Sequence, residues 1–494
     1  MMCRIEVLAA GPPVTQGRRH GRTVARMVGV IRSWLEERFA DLMAEHEVPG
    51  AAVAVLADDD VAEVASGVLN TATGVAATAT SVFQLASVTK LWTATLIMQL
   101  VDEGLLDLDC PVRSYLPGFR VADEHASASV TPRHLLSHTA GFDAEVVTET
   151  TNGDDAIAMF VDEYLPTVGQ LFGAGEYFSY NNSGYSLLGR IVEVLRGKPY
   201  RRVVREHLVD PLGLRHVATR ADEAILFRTS VGHYPRGADG RQMPASPWRL
   251  PYSNEPSGAM LAMSVRDLLQ FARMHLRDGL APDGTRVVSR SSMQAMRQPQ
   301  VAVPRLRSAE VHWGLGVQIE QLGPPQRPGP LLGHDGDNIG QYAMLRMVPD
   351  QDVAFVLFCN GGNAGGLFRA VSAHLLAELA GLEAPRRLTP PAEPRSVDPH
   401  RYVGRYQAAA GGTCTVEPGG PADLWLTVEP PRSFTELLGS APTRSRLVRY
   451  DGDTFVTAEA DGAGHQAFAF IGDGPSPAKF IHNGRALRRL DCHE

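Results

Sequence analysis

Phe83-Gln84-Leu85-Ala86-Ser87-Val88-Thr89-Lys90-Leu91-Trp92 is the stretch on which the reading of this chain turns. Ser87 and Lys90 form a Ser-x-x-Lys pair, and Leu91, Trp92, Leu96, Ile97, Leu100 and Val101 follow with helical spacing. That spacing predicts an amphipathic helix that starts near Ser87 and ends near Gly104. Residues i and i+3 share a helix face, which puts the Lys90 amine beside the Ser87 hydroxyl. Unpaired N–H groups and the positive dipole end at a helix start favour any negative charge that builds up there. A serine with a basic neighbour in such a place is a candidate nucleophile. On its own, an ordinary helix start with a solvated lysine explains the same four residues, so the weight comes from the rest of the chain.

The 494 residues are enough for more than one domain. Hydrophobic residues at 44% and charged residues at 21% describe a soluble globular protein. Formal net charge is −8 and no Lys/Arg block stands out, which argues against a nucleic-acid partner. No run has the length of a membrane span. The first thirty residues carry arginines but no apolar h-region, so a cytoplasmic location is expected. The cysteines (Cys3, Cys110, Cys359, Cys414, Cys492) are odd in number and lack Cys-x-x-Cys spacing, so neither a disulfide framework nor a zinc site is expected.

Residues 31–47 show helical spacing (Ile31, Trp34, Leu35, Phe39, Leu42), and Pro49-Gly50 breaks it. Residues 51–56 and 61–68 read as a hairpin around Asp58-Asp59-Asp60. Helices and loops then run to about Met296, and strand patterns return at 311–321, 340–348 and 352–359 before a closing helix at 367–379. Strands at both ends with helices between predict an α/β (α+β) sandwich, its antiparallel sheet completed by both ends of the domain around a helical insert. Residues 1–28 read as a disordered leader, 29–383 as this α/β domain and 384–398, rich in Pro and Arg, as a linker. Residues 399–494 alternate short apolar runs with Gly, Pro and Asp turns and predict a small antiparallel β-barrel.

Further chemistry lies in Phe178-Ser179-Tyr180-Asn181-Asn182-Ser183-Gly184-Tyr185 and in Leu332-Gly333-His334-Asp335-Gly336-Asp337. Each has a bland reading: a buried tyrosine with an asparagine capping the next helix, and a histidine in a turn. His134 and His138 imitate a metal pair at i and i+4, but no glutamate follows His134, and they read as structural residues around a tight turn. Gly361-Gly362-Asn363-Ala364-Gly365-Gly366 lacks the Lys-Ser/Thr ending of a phosphate loop. A Gly-x-Ser-x-Gly elbow is absent.

Taken in order, Ser-x-x-Lys, Tyr-x-Asn and His-x-Gly resemble the serine β-lactamase and penicillin-binding-protein-like superfamily, in its class C-like branch of esterases, D-peptidases and related hydrolases. The flanks agree: Phe83-Gln84-Leu85-Ala86, His134-Leu135-Leu136-Ser137-His138-Thr139-Ala140-Gly141-Phe142, Gly258 with Ser264-Val265-Arg266-Asp267-Leu268, Trp313-Gly314-Leu315-Gly316 and Asn360. The resemblance covers roughly residues 30 to 380 and implies a β-lactamase/transpeptidase-like sandwich. Arg401-Tyr402-Val403-Gly404-Arg405-Tyr406 looks like the start of the lipocalin-like barrel appended to several members.

The resemblance implies Ser87 as nucleophile, Lys90 as its activating partner, Tyr180 as general base and then acid, and Asn182 as holder of the substrate amide and the lysine. It implies an oxyanion hole from the backbone N–H groups of Ser87 and Asp337, with Asp335 and Gly336 beside the substrate. A tyrosine titrates near ~10 in water, so phenolate at neutral pH needs nearby cations, and Lys90 and a protonated His334 are the expected ones. Which of Lys90 and Tyr180 takes the serine proton stays open. Penicillin-recognising members usually carry Lys-Thr-Gly or Lys-Ser-Gly where this chain has His334-Asp335-Gly336. With Asp335 and Asp337 alongside, a carboxylate there is expected to be repelled, which favours an acyl donor without one, or one carrying an amine.

The expectation is a cofactor-free and metal-free serine enzyme that passes an acyl group to water or an amine. It leans to release or cyclisation of peptidyl thioesters, as in penicillin-binding-protein-type thioesterases, with a peptide or small-molecule acyl substrate and a carrier protein as partner. D-stereospecific peptidases, amidases and esterases share the motifs. A non-catalytic peptide or β-lactam receptor is the rival of another class, and the joint presence of Ser87, Lys90 and Tyr180 speaks against it. The barrel is open between binding a ligand, covering the cleft and oligomerisation.

Overall fold

The computed structural model describes residues 21–143, 148–236, 240–323, 329–408, 411–430, 441–460 and 464–490. Helix α1 spans Gly21–Glu45, so residues 21–28 belong to it and not to a leader. Val24, Val28, Ile31, Leu35, Phe39 and Leu42 form one buried stripe, and the apolar spacing simply continues upstream of Ile31. The rest of the expected leader, residues 1–20, lies outside the described residues.

Strands β1 (Gly50–Ala57) and β2 (Asp60–Gly67) make the expected hairpin. Later strands are β3 (Val301–Ala302), β4 (Glu310–Trp313), β5 (Gln318–Leu322), β6 (Gly329–Asn338), β7 (Gln341–Val348) and β8 (Val353–Cys359). They form one eight-stranded sheet in the order β2-β1-β8-β7-β6-β5-β4-β3. β1 pairs antiparallel with β8, Ala54 opposite Val356, which joins the two ends of the domain. The run expected as one strand over 311–321 is two, because Gly316 takes φ +85° and the Gly314 N–H donates to Val317 O at 2.8 Å. Strand β6, which carries the His-x-Gly element, is absent from the sequence expectation.

One face of the sheet packs on α1 and on the closing helix Ala364–Leu375. The other packs on α2 (Thr89–Asp102), α3 (Ser183–Arg196) and α4 (Val265–Leu276). Every residue of α2 from Thr89 to Leu100 is buried, so this is a core helix and not the amphipathic one expected. Trp92 stacks on Phe271 of α4, ring centroids 4.2 Å apart. A helix sealed in this way holds its first turn, and therefore Ser87, rigidly.

The C-terminal region is a closed barrel of β9 (Gly404–Gln407), β10 (Thr413–Pro418), β11 (Asp423–Glu429), β12 (Thr443–Asp451), β13 (Thr454–Thr457), β14 (Ala467–Ile471), β15 (Phe480–His482) and β16 (Ala486–Leu490). Tyr402, Tyr406, Leu424, Leu426, Phe455 and Phe470 fill it, with Tyr402 edge-on to Phe455 at 4.8 Å. Among the described residues the interior is thus a side-chain core, as small barrels usually are.

Candidate active site

Ser87 sits in a 3-10 turn, Ala86–Val88, that feeds directly into α2. Ala86 adopts φ +46°, a left-handed backbone that a non-glycine residue holds only under constraint. The constraint comes from two glycines. A Cβ on Gly258, whose φ is +129°, falls 2.3 Å from the Ala86 carbonyl; one on Gly336 of β6 falls 2.2 Å from Leu85 O. Asn338 Nδ2 donates to Gln84 Oε1 at 2.6 Å and fixes the end of β6 to the chain just before the nucleophile. Gly336→Ala is therefore expected to push β6 off the serine turn and lower kcat by about 100-fold, the usual result of a misplacement near 1 Å. Steady-state kinetics beside a melting curve checks this, and a variant with unchanged kcat contradicts it.

Lys90 is fully buried. Its Nζ donates to Ser87 Oγ at 3.1 Å and to Ser257 O at 2.6 Å. Burying an ammonium costs several kcal/mol, and these two oxygens offset part of it while aiming the amine at the serine. The same Nζ lies 4.9 Å from the centre of the Tyr180 ring and 5.6 Å from that of Tyr185. Lys90 thus links the first two motifs in space. Ser87, Tyr180 and Asn182 are each half-buried.

Asn182 precedes α3 but does not cap it with its side chain. Asn181 does that work: its Oδ1 accepts from Gly184 N at 2.8 Å and its Nδ2 donates to Phe142 O at 2.8 Å. The capping reading belongs to the neighbour.

His334 requires a correction. Its Nδ1 donates to Asp335 O at 2.6 Å, so Nε2 carries the lone pair. That nitrogen is buried and has no hydrogen-bond partner among the described residues. Burial first, and Lys90 second, push the imidazole down to about 3. His334 is a neutral acceptor at physiological pH and does not supply the cation expected for Tyr180. Its ring faces Trp313 edge-on at 5.3 Å and lies 6.1 Å from Tyr180.

The depressed value has a measurable consequence. Below pH ~6.5 the unfolded chain takes up a proton that the folded site refuses. Stability from this group is complete above pH ~6.5 and falls as pH drops toward about 3, by at most about 1.4 kcal/mol per pH unit. His334→Gln lacks that term. Urea unfolding at pH 7 and pH 5 is expected to show the variant gaining on wild type at the lower pH; parallel losses contradict it.

Asp335 and Asp337 also differ from expectation. Alternate residues of a strand face opposite sides. His334 pairs across with Leu345, in the core shared with α2, whereas Asp335 and Asp337 pair with Met344 and Tyr342, which pack on the α1 side. Arg346 grips the Asp335 carboxylate with contacts of 2.6 and 3.1 Å, and overrides the upward push of burial to hold that carboxyl below its usual range. Both carboxylates are turned away from His334 and do not stand where they would repel a substrate carboxylate beside it. Gly336 remains against the nucleophile turn, and the Asp337 amide follows it on the same strand.

One contribution was not anticipated. The turn between β15 and β16 seats on the Tyr180 segment. Tyr180 N donates to Gly484 O at 3.1 Å, Ala486 N to Ser179 Oγ at 3.1 Å, and His482 Nε2 to Phe178 O at 3.0 Å. Arg485 Cζ comes to lie 5.1 Å from the centre of the Tyr180 ring. The barrel therefore supplies the second cation beside Tyr180. No local pattern marks Arg485, which is one of several arginines in a turn-rich tail.

Residues 35–378 match the Beta-lactamase family. The chain belongs to that family. It is a serine hydrolase of the β-lactamase and penicillin-binding-protein type. It is 45% identical over 380 residues to penicillin-binding protein 4 of Amycolatopsis lactamdurans, covering 76% of this chain and 97% of that one. Among solved structures, SurE aligns with a TM-score of 0.74 and 29% identity over 94% of this chain and 100% of its own, so the likeness extends into the barrel. The crystal structure of SurE with D-Leu aligns with a TM-score of 0.72 at 27% identity, with the same coverage of both chains. Among the described residues, no helix of this serine hydrolase is long and apolar enough to cross a membrane.

Proposed function

We propose that this serine hydrolase takes a peptidyl group from a thioester onto Ser87 and releases it to water or to an amine of the same peptide, giving a free acid or a ring. The observation that carries the reading is the Lys90 amine, 3.1 Å from Ser87 Oγ and 4.9 Å from the Tyr180 ring. Ser87 Oγ attacks the carbonyl carbon and its proton passes to the Tyr180 phenolate, either directly or through Lys90 in its neutral amine form. The Ser87 and Asp337 amides hold the oxyanion, each such donor being worth roughly 100- to 1,000-fold. Collapse expels the thiol, protonated by Tyr180, and leaves an ester on Ser87. Asn182 holds the amide of the acyl chain. An incoming amine or water then gives a proton to the same base, attacks the ester and returns Ser87 to its hydroxyl form.

The bare Nε2 of His334 suits an N–H donor such as the attacking amine. Likeness over nearly the whole chain to SurE, solved with D-Leu, supports an acyl group that includes a D-residue. A carrier protein as thioester donor and a cytoplasmic location belong to the same proposal. Free thiols at Cys110, Cys359 and Cys414 fit a reducing compartment. The second reading, a D-stereospecific peptidase, amidase or esterase, rests on the same residues. A panel of thioester, ester and amide substrates ending in D- or L-residues separates them: preferred turnover of thioesters with cyclic or hydrolysed product supports the thioesterase, and exclusive turnover of amides or esters replaces it.

A further inference from the structure

His138 belongs to neither the Ser-x-x-Lys, the Tyr-x-Asn nor the His-x-Gly element, yet its ring packs on that of Tyr180. It is completely buried, with φ +59°, a left-handed backbone that histidine tolerates better than most side chains but that still costs energy. Its ring centre is 4.4 Å from that of Tyr180, 4.8 Å from Trp313 and 5.1 Å from Tyr185. Lys90 and Arg485 approach the same Tyr180 ring, and His334 lies beyond it.

The backbone on either side of Tyr180 is tied to this one residue. Ser179 N donates to His138 O at 2.9 Å. Asn181 N donates to His138 Nδ1 at 3.0 Å. With Tyr180 N bound to Gly484 O, three successive amides are fixed by partners remote in sequence. An accepting Nδ1 requires the proton on Nε2, and that N–H is buried without a hydrogen-bond partner among the described residues. A purely structural histidine rarely leaves a buried donor unmet. Burial first, then the nearby charges of Lys90 and Arg485, lower the imidazole well below its ordinary value, so the ring stays neutral and Nδ1 stays an acceptor.

We propose that His138 is the positioning residue for Tyr180: its carbonyl and its Nδ1 clamp the amides on both sides of the tyrosine, so that the ring is held beside Lys90 while the acyl group is transferred. This rests on the assignment of Tyr180 as the acid and base of the reaction. Two substitutions isolate the clamp. His138→Asn and His138→Gly both tolerate a left-handed backbone and both lack the ring. Only the asparagine offers an oxygen where Nδ1 stands.

The experiment compares kcat, KM, the pH profile and Asn181 amide exchange in the full-length wild type and the two variants. The glycine variant is expected to lose about 10- to 100-fold in kcat with KM little changed, to shift the pH profile, and to exchange its Asn181 amide faster. The asparagine variant is expected to recover most of each. Equal losses in the two variants, or a glycine variant with wild-type kcat and pH profile, overturn the proposal. A wild type that turns over no substrate removes the functional reading alone, and Asn181 exchange still decides the clamp: faster in glycine than in asparagine supports it, equal in both ends it.

Discussion

Ser87→Ala is expected to abolish labelling by a fluorophosphonate and to lower kcat on the order of a million-fold, as loss of a serine nucleophile does where serine and base act as one unit. Lys90→Met is expected to come close to the same floor. The lysine reaches Ser87 Oγ at 3.1 Å from inside a sealed core, so no water can replace its amine. The double variant is then expected to be little worse than either single one, because each removes the same reaction path. Intact-protein mass after probe addition, with single-turnover kinetics, measures both. A probe adduct that survives in Ser87→Ala places the nucleophile elsewhere. Additive losses in the double variant mean that serine and lysine do not act together.

What the sequence disclosed follows from how local each relation is. Ser87 and Lys90 are three residues apart at a helix start, so their pairing needed only helical geometry. The hairpin of β1 and β2 carried its own turn in Asp58-Asp59-Asp60. Strand β6 was hidden because Gly329, Pro330, Gly333 and Gly336 lower β propensity; Gly336 is there for close approach to Leu85. Without that strand, the alternation that turns Asp335 away from His334 has no basis in the sequence, which shows only two carboxylates close to His334 along the chain. The charge of His334 depends on burial beside Lys90, a tertiary property. Arg485 is farther still from view, since only closure of the barrel and docking of its last hairpin bring it to Tyr180.

Tyr180→Phe is expected to lower kcat by about 100- to 10,000-fold, the range for loss of a positioned acid or base. A phenyl ring is expected to keep the place of the tyrosine ring, whose centre lies 4.9 Å from Lys90 Nζ and 5.1 Å from Arg485 Cζ, so the loss reports the hydroxyl and not the packing. Arg485→Met separates the electrostatic share. A cation over an aromatic ring contributes roughly 0.5–2 kcal/mol, and a cation near a phenol favours the phenolate. Its removal is expected to slow acylation by about 2- to 30-fold and to move the rising limb of kcat/KM toward higher pH, since the base then gives up its proton less readily. In Tyr180→Phe that limb is expected to vanish, and adding Arg485→Met to it is expected to do almost nothing more. If Arg485→Met instead raises KM and leaves the limb in place, the arginine acts on the substrate and not on the tyrosine. His334 enters the comparison as a control: neutral down to about 3, it contributes no inflection near neutrality, so a limb that shifts with Arg485 is assigned to the phenol beneath it.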